Sequence, residues 1–97
     1  MAVEIEKMLV LSTGHVTGGV NVELENESGG KPHWAPEFTR EFSWMFHVPP
    51  ADADHGARMA RPMCLNEAFD FARTHGCTWI LFDADGPRVE ELNWYDW

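Results

Sequence analysis

The stretch Trp79-Ile80-Leu81-Phe82-Asp83-Ala84-Asp85-Gly86-Pro87, WILFDADGP, is an apolar run that ends in two closely spaced carboxylates and a glycine turn. It reads as a buried strand reaching the surface. Immediately upstream, Leu65, Ala68, Phe69 and Ala72 recur at helical spacing over residues 65–75, and Gly76 suits the left-handed position just past a helix end. A strand entered straight from a helix is usually reached by a crossover. The apolar residues 7–12, KMLVLS, closed by TGH, supply a buried first strand. In residues 41–48, EFSWMFHV, Phe42, Trp44, Phe46 and Val48 alternate with Ser43, Met45 and His47, as in a strand with one strongly apolar face. The expected fold class is α/β (or α+β): a small three-stranded sheet with one or two helices packed on one face, in the order β-(α)-β-α-β, forming a single compact domain over residues 1–97.

The remaining segments are less regular. In residues 17–30, Val20, Val22 and Leu24 alternate like a strand, while Thr17 could cap a helix with Val20 and Leu24 on one face; a short helix is favoured. Residues 31–38 read as an irregular loop anchored by Trp34, and residues 51–62, ADADHGARMARP, as an exposed loop. Residues 89–92 suit one more helical turn or a brief edge strand. The aromatic end, with Trp94, Tyr95 and Trp97, is expected to pack back over the sheet and close the core.

Sixteen acidic residues against seven basic ones give a formal charge of -9. That charge opposes direct nucleic-acid binding and adsorption to anionic membranes, and it suits a partner with a basic surface. Cys64 and Cys77 flank the predicted helix, about 18 Å apart at 1.5 Å per residue, beyond the reach of a disulfide. Glu4, Glu6 and Lys7 interrupt the start of the chain, so no signal peptide is read, and no apolar run approaches the roughly 20 residues that span a bilayer. The expected localisation is the cytoplasm.

Asp83, Asp85 and Gly86 match the D-x-D-G motif that, in haloacid-dehalogenase phosphatases, delivers a nucleophile and an acid/base. There the strand opens a doubly wound sheet, and later strands add the Ser or Thr, the Lys and the acids that hold phosphate and Mg²⁺. Here, beyond Asp85, Arg88 is the only basic residue and no Ser or Thr follows. The motif therefore reads as a solvated strand exit. An EF-hand loop fails as well, because Trp94 occupies its twelfth position. If the first and last strands run parallel, Ser12, Thr13, His15, Asp83 and Asp85 gather at one edge of the sheet, where open α/β sheets often bind ligands. This gives an alternative catalytic set, Ser12, His15, Asp83 and Asp85, for a metal-assisted phosphoesterase or other hydrolase. An alternative metal set is His15, His47 and Asp83, although no zinc-ligand spacing is present and no cofactor is expected.

Two segments, MLVLSTGHVT at residues 8–17 and GCTWILFDADGPRVEELNWYDW at residues 76–97, resemble a family of small single-domain proteins of phages, plasmids and other bacterial mobile elements. That family's pattern is a strand, STAH, a helix, a Trp-containing strand, a helix and C-x-W-I-x-F-D-x-D-G. The chain departs from it at Gly14, where the pattern tends to Ala, and at Gly18 and Gly19, where the first helix should begin. The resemblance implies a mobile-element setting and no catalytic residues. Together with the charge, it leads to the expectation of a non-enzymatic accessory or anti-defence (anti-CRISPR-like) inhibitor that docks on a basic nucleic-acid-binding surface of a host or phage protein. Its partner-binding residues would be Glu23, Glu25, Glu27, Asp52, Asp54, Glu90, Glu91, Trp94, Asp96 and Trp97. A homodimer joined through exposed Trp side chains is the other alternative.

Overall fold

The structure is a computed structural model that describes residues 3–25, 36–40 and 43–95. Its elements are β1 (Met8–Ser12), a 3-10 turn (Thr13–His15), α1 (Gly18–Glu25), β2 (Phe38–Arg40), β3 (Ser43–His47), a 3-10 turn (Ala51–Ala53), α2 (His55–Ala60), α3 (Met63–Thr74) and β4 (Trp79–Asp83). The strands form one four-stranded sheet in the order β1-β4-β3-β2. β1 and β4 are parallel, while β3, which leads through α2 and α3 into β4, runs antiparallel to both β4 and β2.

The α/β class follows the sequence expectation, and two details correct it. The sheet has four strands rather than three, because Phe38–Arg40, of which Phe38 falls in the expected loop and residues 39–40 in no expected element, pairs with Ser43–Met45. A three-residue edge strand, exposed throughout, carries too little alternation to be read. Residues 51–60, also expected as loop, contain a 3-10 turn and α2, which charge pairing holds in place. The expectations for Trp34 and Phe42 lie outside the described residues.

Helix α1 forms where Thr17 offers its hydroxyl to the Val20 N–H at 3.3 Å, and it turns Val20 and Leu24 toward the core. Helix α3 is amphipathic, burying Cys64, Leu65, Ala68, Phe69 and Ala72. It ends at Gly76, whose φ of 71° belongs to the left-handed region. There Gly76 N–H reaches Arg73 C=O and Cys77 N–H reaches Ala72 C=O, reversing the chain into β4. Against α3 the sheet presents Leu11, Trp44, Phe46, Ile80 and Phe82. Phe46 meets Phe69 and Phe82 edge-on, at centroid distances of 5.8 and 5.7 Å. Buried side chains of this size contribute about 1.5–3 kcal/mol each, so this layer dominates stability.

The burial of the strands is one-sided. In β4 only Ile80 and Phe82 are fully buried, and in β1 Met8 and Val10 are exposed. Both strands were read as buried, but the helices cover one face of the sheet. Among the described residues, no helix is long and apolar enough to cross a membrane.

Candidate functional site

The parallel pairing brings Ser12 and Asp83 into register at the C-terminal ends of β1 and β4. Their chemistry there is structural. Ser12 Oγ accepts the Gly14 N–H at 3.1 Å. Asp83 accepts the Asp85 N–H through its carboxylate and the Gly86 N–H through its carbonyl, so D-x-D-G closes an Asx-type turn. The Pro87 carbonyl then accepts the Ser12 N–H at 2.9 Å, which ties the outgoing chain across the end of β1. A Cβ on Gly86 would overlap the Leu11 carbonyl, so this glycine permits two backbones to cross.

His15 is 2% exposed and serves that same crossing. Its Nε2 accepts the Val89 N–H at 2.9 Å, which leaves the ring proton on Nδ1, where it is donated to the Asn93 carbonyl at 2.8 Å. With both ring nitrogens committed to backbone groups, His15 has none left to act as a base for Ser12. Trp94 lies over Gly14, its ring 5.4 Å edge-on from His15 and 4.7 Å from the Arg88 guanidinium, and Tyr95 N–H bonds the Gly14 carbonyl. Val89, Leu92 and Tyr95 pack onto the core, which bears out the expected closure for Tyr95, while Trp97 lies outside the described residues. Residues 89–92 make a turn, with Leu92 N–H on Val89 C=O, and neither helix nor strand.

The alternative metal set is taken apart by the register. His47 stands opposite Trp79 at the far end of β4, whereas Asp83 stands opposite Ser43, four residues or about 13 Å along the strand. Among the described residues, no group of three His, Cys, Asp or Glu side chains could hold a metal ion.

The acidic residues divide. Asp54 is 2% exposed and is not presented to a partner, which corrects its place in the proposed binding set. Its carboxylate accepts from Arg61 at 2.7 and 2.9 Å and from Arg73 at 2.7 Å. Arg61's hydrogen bonds, set against burial, and those of Arg73 bring the Asp54 carboxyl down to about 2. Arg61 also stacks on Phe69 at 4.2 Å and reaches Asn66. Arg73 continues to Asp70, which binds Arg58 through two contacts of 2.7 Å; that pairing holds the Asp70 carboxyl below its usual range. Apolar periodicity carries no trace of this network, although the spacing of Asp54, Arg58 and Arg61 against Asn66, Asp70 and Arg73 is its signature.

Glu90 and Glu91 are exposed beyond β4, and Asp52 is exposed in the turn after β3. Glu91, with Glu67 and Asp70, lines an open groove of about 480 Å³ between α3 and the C-terminal segment. Burial, followed by the nearby Glu67 charge, raises the Tyr95 phenol. Glu23 and Glu25 lie on α1, while Glu27, Asp96 and Trp97 fall outside the described residues. Cys64 and Cys77 are both free and buried, and burial pushes the Cys64 thiol up, away from nucleophilic use.

The feature that sequence reading missed is the second face of the sheet. Register aligns Val10, Leu81, Met45 and Phe38 in one apolar row across all the strands. A neighbouring row holds Met8, Trp79 and His47, and the row on its other side holds Ser12, Asp83, Ser43 and Arg40. Met8 is 42% exposed and Phe38 60%. A cavity of about 260 Å³, lined chiefly by Met8, Phe38, Met45, Leu81, Ser43 and Arg40, lies on this face. Phe38 and Trp79 lie 6.4 Å apart, and His47 meets Trp79 edge-on at 5.0 Å. The signal lies in the period-2 parity of Trp79 and Leu81, residues of a run that reads simply as a buried strand.

Residues 8–97 match the C-terminal domain of a family of unknown function, DUF5983. No curated protein and no solved structure matches the chain. The match spans nearly all of the sequence, so the chain belongs to that family.

Proposed function

We propose that this DUF5983 domain is a non-enzymatic binding protein that docks on a basic surface of another protein. The observation that carries this reading is the sheet face left open by the helices, where a large apolar row meets solvent. Contiguous apolar exposure of this kind marks interaction surfaces in soluble proteins. Charge selects the partner: the chain carries a formal charge of -9, and among the described residues Arg58, Arg61 and Arg73 are committed to Asp54 and Asp70. Such a surface is drawn to patches that otherwise hold DNA or RNA. The engagement of both His15 nitrogens and the turn role of Asp83 weigh against the hydrolase alternative.

The finer reading, an anti-defence inhibitor working in the host cytoplasm on behalf of a phage or other mobile element, rests on charge and on the family resemblance. It is tested by competition. The protein is titrated into complexes of basic DNA-binding or RNA-binding proteins with a fluorescent oligonucleotide, and release is followed by anisotropy. Displacement that weakens with added salt, and that falls in the Glu37→Lys variant beside the open face, supports the reading. Lack of displacement across CRISPR effector complexes and other basic nucleoproteins at low salt defeats it.

A further inference from the structure

We propose that the open sheet face receives an arginine-bearing, apolar segment of that basic partner, with the guanidinium stacked on the Trp79 and Phe38 rings. The inference rests on the binding function above and names its site and the chemistry it selects. Three features of the face point the same way. Its rings are grouped and reachable: Phe38 is 60% exposed, Trp79 is half-buried near it, and His47 meets Trp79 from the neighbouring strand β3. Aromatic faces attract cations, and a planar guanidinium, more weakly hydrated than an ammonium, gains most from stacking.

Beside the rings, Met8, Met45 and Leu81 line the cavity of about 260 Å³. This is room for aliphatic side chains flanking the arginine, and thioethers adapt to an uneven partner. Acidic side chains flank the two rings, while Arg40 lines the cavity in the row on the side away from Trp79. Exposed Glu37 directly precedes Phe38, and Glu6 is held at the Trp79 end of the sheet by the Thr78 hydroxyl at 3.2 Å. A second copy of this chain would bring its own -9 charge to the same face, which disfavours self-association there.

The test uses NMR on the full chain with synthetic peptides of about twelve residues in which Leu alternates with Arg, Lys or Glu. The expected result is perturbation of the Trp79 indole N–H, the Phe38 ring and the Met45 methyl by the Arg peptide. That peptide should bind about fivefold or more tightly than the Lys peptide, and the Glu peptide should not bind. Phe38→Ser, a change at an exposed residue that spares the fold, should weaken Arg-peptide binding about tenfold, and Trp79→Leu at least as much. Equal affinity for Arg and Lys peptides, with shifts confined to the groove of Glu67 and Glu91, overturns the inference while leaving the basic-partner reading intact. Failure of every basic peptide to bind overturns both. Shifts at Phe38 and Trp79 that depend on protein concentration alone overturn it in favour of a homodimer.

Discussion

Replacing Asp54 by Asn should destabilise the domain far more than any exposed carboxylate can. Asp54 is the single anion between Arg61 and Arg73, whose side chains are 5% and 18% exposed. The change keeps the shape and removes the charge, leaving the Arg61 guanidinium buried among neutral partners alone: Asn66, the Phe69 ring and the one amide oxygen that remains at position 54. Removing one member of a buried ion pair costs about 3–5 kcal/mol. The carboxyl itself supplies a second estimate. A fall from the ordinary value of 3.8 to about 2 corresponds to roughly 2 kcal/mol favouring the ionised form in the folded state.

A loss of about 3 kcal/mol is therefore expected near neutral pH, equivalent to about 12–24 °C in Tm for a domain of this size. Because the folded-state value is depressed, the contribution is complete above the unfolded value of 3.8 and is lost as pH falls through about 2. Urea unfolding followed by Trp fluorescence at several pH values measures both effects. The wild type should lose stability between pH 4 and 2 by about 2 kcal/mol more than Asp54→Asn does. A loss under about 1 kcal/mol at neutral pH, with identical acid limbs for the two proteins, would refute the reasoning.

Further expectations concern the crossing of the C-terminal segment over β1. His15 in its neutral form should carry its proton on Nδ1, which long-range ¹H–¹⁵N correlation reads directly; the Nε2–H tautomer would contradict the geometry. His15→Ala should cost about 2–4 kcal/mol in urea unfolding, since it strands the Val89 N–H and the Asn93 carbonyl. Gly86→Ala should cost about 3 kcal/mol, because its Cβ meets the rigid Leu11 backbone, whereas Gly14→Ala meets the movable Trp94 ring and should cost about 1–2. In the same assay Asp83→Asn should cost under about 1 kcal/mol, since an amide oxygen can still accept from Asp85; a large loss would assign the carboxylate a role beyond the turn.

Much of the scaffold was legible because it follows local rules. The spacing of Leu65, Ala68, Phe69 and Ala72, the left-handed Gly76 and the run into Trp79 gave α3, its cap and the entry into β4, although the β3-to-β4 connection through α3 joins antiparallel neighbours rather than making a parallel crossover. Thr17 with Val20 and Leu24 gave α1. What escaped depends on long-range partners. Phe38–Arg40 becomes a strand only through β3, and α2 holds its place through arginines that reach across to α3 and Asp54. The strand-end cluster was half legible: parallel pairing did bring Ser12 beside Asp83. His15, however, spends its nitrogens on Val89 and Asn93, contacts spanning more than seventy residues that no local pattern encodes.

The missed face follows from the same limit, and it explains why a strand such as WILFD is apolar at every position before Asp83. Parallel strands covered on both sides read as continuous apolar runs, and β1 and β4 have that composition. Their helices nevertheless cover only the face of Leu11, Ile80 and Phe82. A sheet meant to face water on its other side would alternate, as β3 partly does with Ser43 and His47. Met8, Val10, Trp79 and Leu81 depart from that alternation together and in register, where polar residues would have left the core intact. The binding function proposed above accounts for an apolar row in adjacent strands that the fold does not require: it is the surface a partner would cover, with the acidic residues around it biasing which partner that would be.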